Sequence, residues 1–173
     1  MRKFNFYSLI ENYKLFTIYV MGFMYIFIGI RHFLDPQYFL YIVPPQLPFK
    51  LFLVYLTGLI EVVGGVAILS PKSRKAGAYL LIFLLVSVFP ANIYLYVSET
   101  PQNLLGITKT EALIRMPFQI PLIILAYWHS KKNHPKWVVD LSLLVFFLFA
   151  SFCAFPSASI SFMVIFLCTR CRS

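Results

Sequence analysis

Four long apolar runs dominate the chain and constrain its fold more than any other feature. They cover approximately residues 15–33, 51–69, 76–97 and 112–128, and each is nearly free of charged side chains. A membrane-spanning helix takes about 20 predominantly apolar residues, so the first three runs have the required length. Because the runs are apolar on all sides rather than in alternation, they favour helices over the strands of a membrane barrel.

The composition agrees with a bilayer environment. Hydrophobic residues make up 60% of the chain and charged residues 12%, whereas soluble domains are about a quarter charged. The predicted fold class is all-α: an integral membrane four-helix bundle with an extra C-terminal hydrophobic segment. Residues 1–14 are predicted to form a cytoplasmic N-terminus, residues 15–136 the membrane domain and residues 137–173 the extra segment.

The fourth helix is predicted to begin before its apolar run. The sequence TKTE fits a capping box, in which the Thr108 hydroxyl accepts an early backbone N–H and the Glu111 carboxylate accepts from Thr108. A helix over residues 109–129 is then long enough to span a bilayer. Pro117 and Pro121 are expected to kink it.

The loops predict the orientation of the helices, because cytoplasmic loops of membrane proteins carry the excess of lysine and arginine. Nine basic residues lie on one side if the four helices alternate in direction: Arg2, Lys3, Lys14, Lys72, Arg74, Lys75, Lys131, Lys132 and Lys136. Both ends of the four-helix unit are therefore predicted to be cytoplasmic. The same basic residues are scattered in threes with no basic helix face, which argues against nucleic acid as a partner.

The stretch 141–168 has two interpretations. It is long enough for a fifth span kinked at Pro156, or it forms a re-entrant or interfacial segment. At its end, Cys168 and Cys171 match the C-x-x-C spacing, which indicates either a redox pair or an incidental tail. The chain has three cysteines, all after residue 150, and they predict no disulfide framework.

Glu61 is the only charged residue between positions 51 and 69. At 1.5 Å per residue it lies roughly 16 Å from the start of the second helix, near the bilayer centre. A similar depth estimate places the other polar residues of the helices in the same, outer half of the membrane. They are Arg31, His32, Asn92, Arg115 and Gln119. No comparable set is expected in the inner half.

These residues predict a buried polar cluster with Glu61 and Arg115 as its charged pair, because an unpaired buried carboxylate is very unfavourable. Gln119, Asn92 and His32 would add hydrogen bonds. Small residues on a shared face let membrane helices approach closely. Gly58 and Gly65 share the face of Glu61, and Gly22 and Gly29 share a face of the first helix.

The cluster has a functional and a structural interpretation. Ionisable residues inside a membrane usually mark a functional site, yet an acid–arginine pair can also simply hold helices in register. His32, at a helix end, is either an interfacial residue or a ligand contact. The sequence has no group of histidines and cysteines with metal-ligand spacing, so no metal site is predicted.

Four motifs in order resemble the DoxX-like family of membrane proteins. They are GFMYIFIGIRHFLDPQYFLYIVPPQLP, GLIEVVGGVAILSPKSRKAGAYLL, VFPANIY and IRMPFQIPLI. The resemblance extends from about residue 19 to residue 128 and stops before the C-terminal segment. The positions that match the motifs are His32, Pro44, Glu61, Pro90, Asn92, Arg115 and Gln119.

The resemblance implies a multi-pass protein of a bacterial inner membrane and an accessory, non-catalytic part in a redox-linked complex. Under this hypothesis the outer polar cluster binds the head group of a quinone. Two other classes stay open. The chain could act as an assembly factor through helix contacts with a membrane protein or a second copy of itself. It could also be a small-solute transporter, although it shows no internal repeat.

Overall fold

A computed structural model describes residues 6–131, with side chains from residue 9 onward. This part of the chain is helical and contains no strand. The helices are α1 (Phe6–Leu34), α2 (Pro36–Leu40), α3 (Lys50–Leu69), α4 (Arg74–Val97), α5 (Glu99–Leu105) and α6 (Lys109–Ser130). The predicted fifth span, Cys168 and Cys171 lie outside the described residues.

Three helices are long and apolar enough to cross a membrane. They are Leu9–Leu34, Lys50–Leu69 and Arg74–Val97, which marks the chain as a membrane protein. The fourth long helix, α6, has 22 residues but carries Lys109, Glu111 and Arg115 in its first two turns. Because of these charges, α6 is less apolar than the three helices that qualify as membrane spans.

The helices pack in the order α1, α3, α4, α6, each mainly against the next. Buried side chains from all four meet in one apolar core: Met21, Tyr25, Ile68, Ala78, Leu81, Leu84 and Ala126. Outward-facing aliphatic and aromatic residues such as Phe23, Phe52 and Phe83 are more than 60% exposed. Such an apolar exterior suits contact with lipid rather than water.

Glycines determine how α1 and α3 fit together. A Cβ atom on Gly65 would lie 2.8 Å from the carbonyl oxygen of Gly22, and one on Gly29 would lie 2.7 Å from the carbonyl oxygen of Gly58. Real Cβ atoms do not approach backbone oxygens so closely. The two glycine pairs therefore bring the antiparallel helices into backbone contact and fix their register.

Side chains of the following helix satisfy free carbonyl groups at the end of the preceding one. Arg74 Nε donates to the carbonyl oxygen of Ile68 (3.1 Å) at the end of α3. Gln102 Nε2 donates to the carbonyl oxygens of Leu95 and Tyr96, each at 2.9 Å, at the end of α4. Gln102 belongs to α5, a short helix that the sequence analysis did not predict. This helix ends at Gly106, which adopts a left-handed conformation with φ 64°.

The predicted capping box at the start of α6 is confirmed. Thr108 Oγ1 accepts a hydrogen bond from the backbone N–H of Glu111 (3.2 Å), and Glu111 Oε2 accepts one from the backbone N–H of Thr108 (2.7 Å). The helix then continues through Pro117 and Pro121.

Replacing Thr108 with alanine is expected to lower the free energy of unfolding by about 1 kcal/mol, because an early N–H of α6 loses its acceptor. Denaturant titration of the purified protein in detergent measures this change. Thr110→Ala is the matched control, since Thr110 is exposed and lies beyond the cap. Equal midpoints for the two variants would contradict a stabilising capping box.

Candidate functional site

A histidine and a glutamate meet where α1 contacts α3. His32 Nδ1 lies 3.1 Å from Glu61 Oε2, and the side chains are only 8% and 12% exposed. The position of Gly58 permits this contact, because a Cβ atom there would lie 2.5 Å from the Cβ of His32. The missing side chain of Gly58 is therefore what lets His32 lie against α3, beside Glu61.

The hydrogen bonding of His32 determines whether Glu61 Oε2 has a hydrogen-bond donor. His32 Nδ1 also lies 3.0 Å from the carbonyl oxygen of Ile28. A carbonyl oxygen only accepts, so Nδ1 carries the hydrogen and donates it to Ile28. Glu61 Oε2 lies beside the same nitrogen but receives no hydrogen bond, and it is buried. Glu61 thus presents an unsatisfied polar oxygen in the protein interior.

Aromatic residues of α2 cover the histidine. The ring of Phe39 stacks on the imidazole of His32 with centroids 3.5 Å apart and planes at 20°. Tyr38 meets Phe39 edge-on at 5.2 Å. The helix α2 begins at Pro36, whose fixed φ suits the first turn of a helix. A proline-initiated helix therefore places an aromatic cover over the pair.

The structure differs from the predicted pairing of Glu61 with Arg115. Arg115 Nη2 lies 3.4 Å from the hydroxyl oxygen of Tyr38, a long hydrogen bond, while Glu61 lies beside His32. Similar depth in the membrane suggested the first pairing, but depth does not specify the face on which a side chain lies. Arg115 contacts the aromatic cover instead of the acid.

The other predicted members of the cluster are dispersed. Gln119 is buried on α6, where its Nε2 lies 3.4 Å from the carbonyl oxygen of Leu85, and its Oε1 receives no hydrogen bond. Arg31 pairs with Asp35 at 3.5 Å, one helical turn away. Asn92 is half-buried on α4 and forms no hydrogen bond with His32 or Glu61 within residues 9–131. His32 and Glu61 alone of the six form a close pair.

The sequence of residues 21–130 matches a family described as a domain of unknown function, DUF8561. The chain belongs to the DUF8561 family. No curated protein matches it, and no solved structure does either. The DUF8561 domain extends from the middle of α1 to the end of α6 and includes His32, Glu61 and Arg115. Its description carries no activity, so any function has to be inferred from the site.

Tyr25 is a site residue that the sequence analysis missed. It is 4% exposed and its hydroxyl makes no hydrogen bond. It lies close enough to Glu61 for an electrostatic interaction with that carboxyl group. Tyr25, Gly29 and His32 are spaced by four and three residues, which puts them on one face of α1. That spacing could have identified Tyr25, although a tyrosine among phenylalanines resembles an ordinary core residue.

A second buried polar group lies where the first half of α1 contacts the end of α6. Thr17 and His129 are 5% and 2% exposed, and Thr17 Oγ1 lies 3.0 Å from His129 Nε2. The prediction placed no comparable polar set in the inner half of the membrane, and it did not include the buried Thr17 and His129. His129 was predicted only as the last residue of the fourth helix, and a position at a helix end does not indicate burial.

Among the described residues, no group of three or more histidine, cysteine or acidic side chains lies close enough together to hold a metal ion.

Proposed function

We propose that this DUF8561 protein is a DoxX-like, four-span membrane protein that binds the polar head group of a quinol at the His32–Glu61 pair. In this role it would be an accessory component of a redox-linked complex rather than a stand-alone enzyme. The observation that carries the proposal is Glu61 Oε2, a buried oxygen that receives no hydrogen bond and lies beside a histidine under an aromatic cover.

The membrane arrangement in this proposal counts α6 as the fourth span. Its 22 residues cover about 33 Å, the thickness of a bilayer core. Ala126 of α6 packs in the apolar core together with residues of α1, α3 and α4. The excess of basic residues at one end supports a cytoplasmic N-terminus in a bacterial inner membrane.

The hydrogen-bonding character of the pair favours the reduced form of the ligand. With Nδ1–H donated to Ile28, a neutral His32 offers its Nε2 only as an acceptor. Glu61 Oε2 also accepts when ionised. Two acceptors suit a molecule with hydroxyl donors, and a quinol has two hydroxyl groups on an aromatic ring. The ring of Phe39 provides a surface against which such a ring can stack.

Replacing Glu61 with glutamine is expected to weaken the binding of a short-chain ubiquinol at least about 10-fold, because a hydrogen bond to a charged group is worth about 1.5–3 kcal/mol. Isothermal titration of the purified protein in detergent gives the dissociation constant. The matched control is Glu99→Gln, since Glu99 is an exposed acid on α5, and it should bind as tightly as the unmodified protein. The short-chain ubiquinone should bind more weakly than the ubiquinol.

Two results would contradict the proposal. One is ubiquinol binding that is unchanged in Glu61→Gln. The other is no binding by the unmodified protein. A stoichiometric membrane-protein partner recovered by crosslinking, with no bound quinol, would instead support an assembly factor.

A further inference from the structure

A lysine is buried at the end of the protein opposite the His32–Glu61 pair. Lys14 is 7% exposed, and its Nζ donates to the carbonyl oxygen of Lys131 at 2.5 Å. The same ammonium group lies 5.6 Å from the ring centre of Trp128. A lysine is almost never fully buried unless its charge is compensated, so the surroundings of Lys14 need an explanation.

The charges around Lys14 are mostly positive. Lys14 and Arg74 are close enough that their charges repel, and both act on the buried His129. Lys131 contributes its carbonyl oxygen to Lys14, while its own ammonium group lies 4.7 Å from the ring centre of Tyr127. The acid that acts on Lys14 is Glu11, one turn earlier on α1 and itself exposed. The positive charge therefore exceeds the negative charge in this part of the protein.

His129 adds an unsatisfied buried atom to this group. The Thr17 hydroxyl donates its hydrogen to the carbonyl oxygen of Lys14 (2.9 Å). Thr17 Oγ1 therefore accepts from His129 Nε2, which makes Nε2 the nitrogen that carries a hydrogen. His129 Nδ1 is buried and has no hydrogen-bond partner.

These groups lie near the ends of three helices. Lys14 lies in the third turn of α1, Arg74 is the first residue of α4, and Lys131 directly follows α6. Helix ends with lysine, arginine and tryptophan are where membrane proteins meet the lipid head groups. Basic pockets between such helix ends bind anionic head groups.

We propose that Lys14 and Arg74, beside the backbone turn at Lys131, form a binding site for a phosphate group, supplied by the head group of an anionic phospholipid. Arg74 uses two of its guanidinium nitrogens on the carbonyl groups of α3 and retains further N–H donors for a phosphate oxygen. The ammonium group of Lys14 supplies charge at the base of the site. This site is separate from the quinol site and does not depend on it.

Replacing Lys14 with glutamine is expected to reduce the binding of phosphatidylglycerol about fivefold, the effect of one basic residue at a membrane surface. Native mass spectrometry of the full chain, titrated with phosphatidylglycerol in a neutral detergent, measures the bound fraction. Lys14→Arg keeps the charge and should retain binding. Lys72→Gln is the matched control, because Lys72 is an exposed lysine in the turn before α4, and it should change binding less than twofold.

Thermal unfolding separates the two sources of phosphate and also tests the fold. Phosphatidylglycerol should raise the midpoint of the unmodified protein and of Lys14→Arg, but not that of Lys14→Gln. An equal rise with inorganic phosphate alone would assign the site to the free anion. Phosphatidylglycerol binding that is equal in Lys14→Gln and Lys72→Gln, or equal to that of phosphatidylcholine, would overturn the proposal.

Discussion

A leucine in place of Gly58 is expected to lower the free energy of unfolding by about 3 kcal/mol and to abolish quinol binding. Even a single carbon at this position would lie 2.5 Å from the Cβ of His32 and 3.0 Å from the carbonyl oxygen of Gly29. One of these neighbours is backbone and cannot rotate away, so α1 and α3 must separate. Overpacking of a close contact costs about 1–3 kcal/mol, and a leucine is at the upper end of that range.

The consequence for the site follows from the same contact. Separation of the helices moves His32 away from Glu61, because the two lie on the facing sides of α1 and α3. Thermal unfolding in detergent and ubiquinol titration measure the two effects. Val66→Leu is the matched control, since Val66 is 55% exposed on the same helix and has room for a larger side chain. Normal stability and normal binding in Gly58→Leu would show that the glycine contact does not position the pair.

Much of the helix arrangement could be predicted because it depends on local patterns. The apolar runs placed α1, α3 and α4, and the capping box placed the start of α6. The glycines at intervals of seven correctly indicated a close helix contact. The short helices α2 and α5 could not be found in this way, because each has too few residues for a periodic pattern to emerge.

The partner of Glu61 could not be predicted from depth because the helices do not begin at a common level. The glycine pairs set the register of α1 against α3. At that register the last residue of α1 lies opposite Leu53, about one turn into α3. His32 then lies opposite Tyr55, between one and two turns from Glu61, and the two side chains reach along the helix interface to meet. Arg115 has a suitable depth, but it faces Tyr38.

The buried group at Lys14 was missed for a related reason. Lysine near the start of a membrane helix normally indicates an exposed, cytoplasmic charge. Its ammonium group contacts Lys131 and Trp128 at the end of α6, which is far from Lys14 in the sequence. A feature that two distant helices create has no local signature.

Replacing His32 with leucine is expected to destabilise the protein by about 3–5 kcal/mol, because it leaves the buried carboxyl group of Glu61 without its neighbour. The double variant His32→Leu/Glu61→Leu should recover most of that loss, since apolar residues of similar size often replace a buried pair at little cost. Denaturant titration of the two single variants and the double variant measures the coupling between the residues. Phe33→Leu, at an exposed neighbouring position, is the control for a leucine in this turn.

The double variant also decides whether the pair serves a ligand or only the fold. If the pair binds the quinol, the double variant should be stable and yet bind ubiquinol at least about 10-fold more weakly, because both hydrogen-bond acceptors are gone. A stable double variant that binds ubiquinol normally would show that His32 and Glu61 only hold α1 and α3 together. A double variant whose loss of stability equals the sum of the losses in the two single variants would show that the two residues stabilise the protein independently. Stability and binding therefore separate the two roles of the pair when both are measured on the same variants.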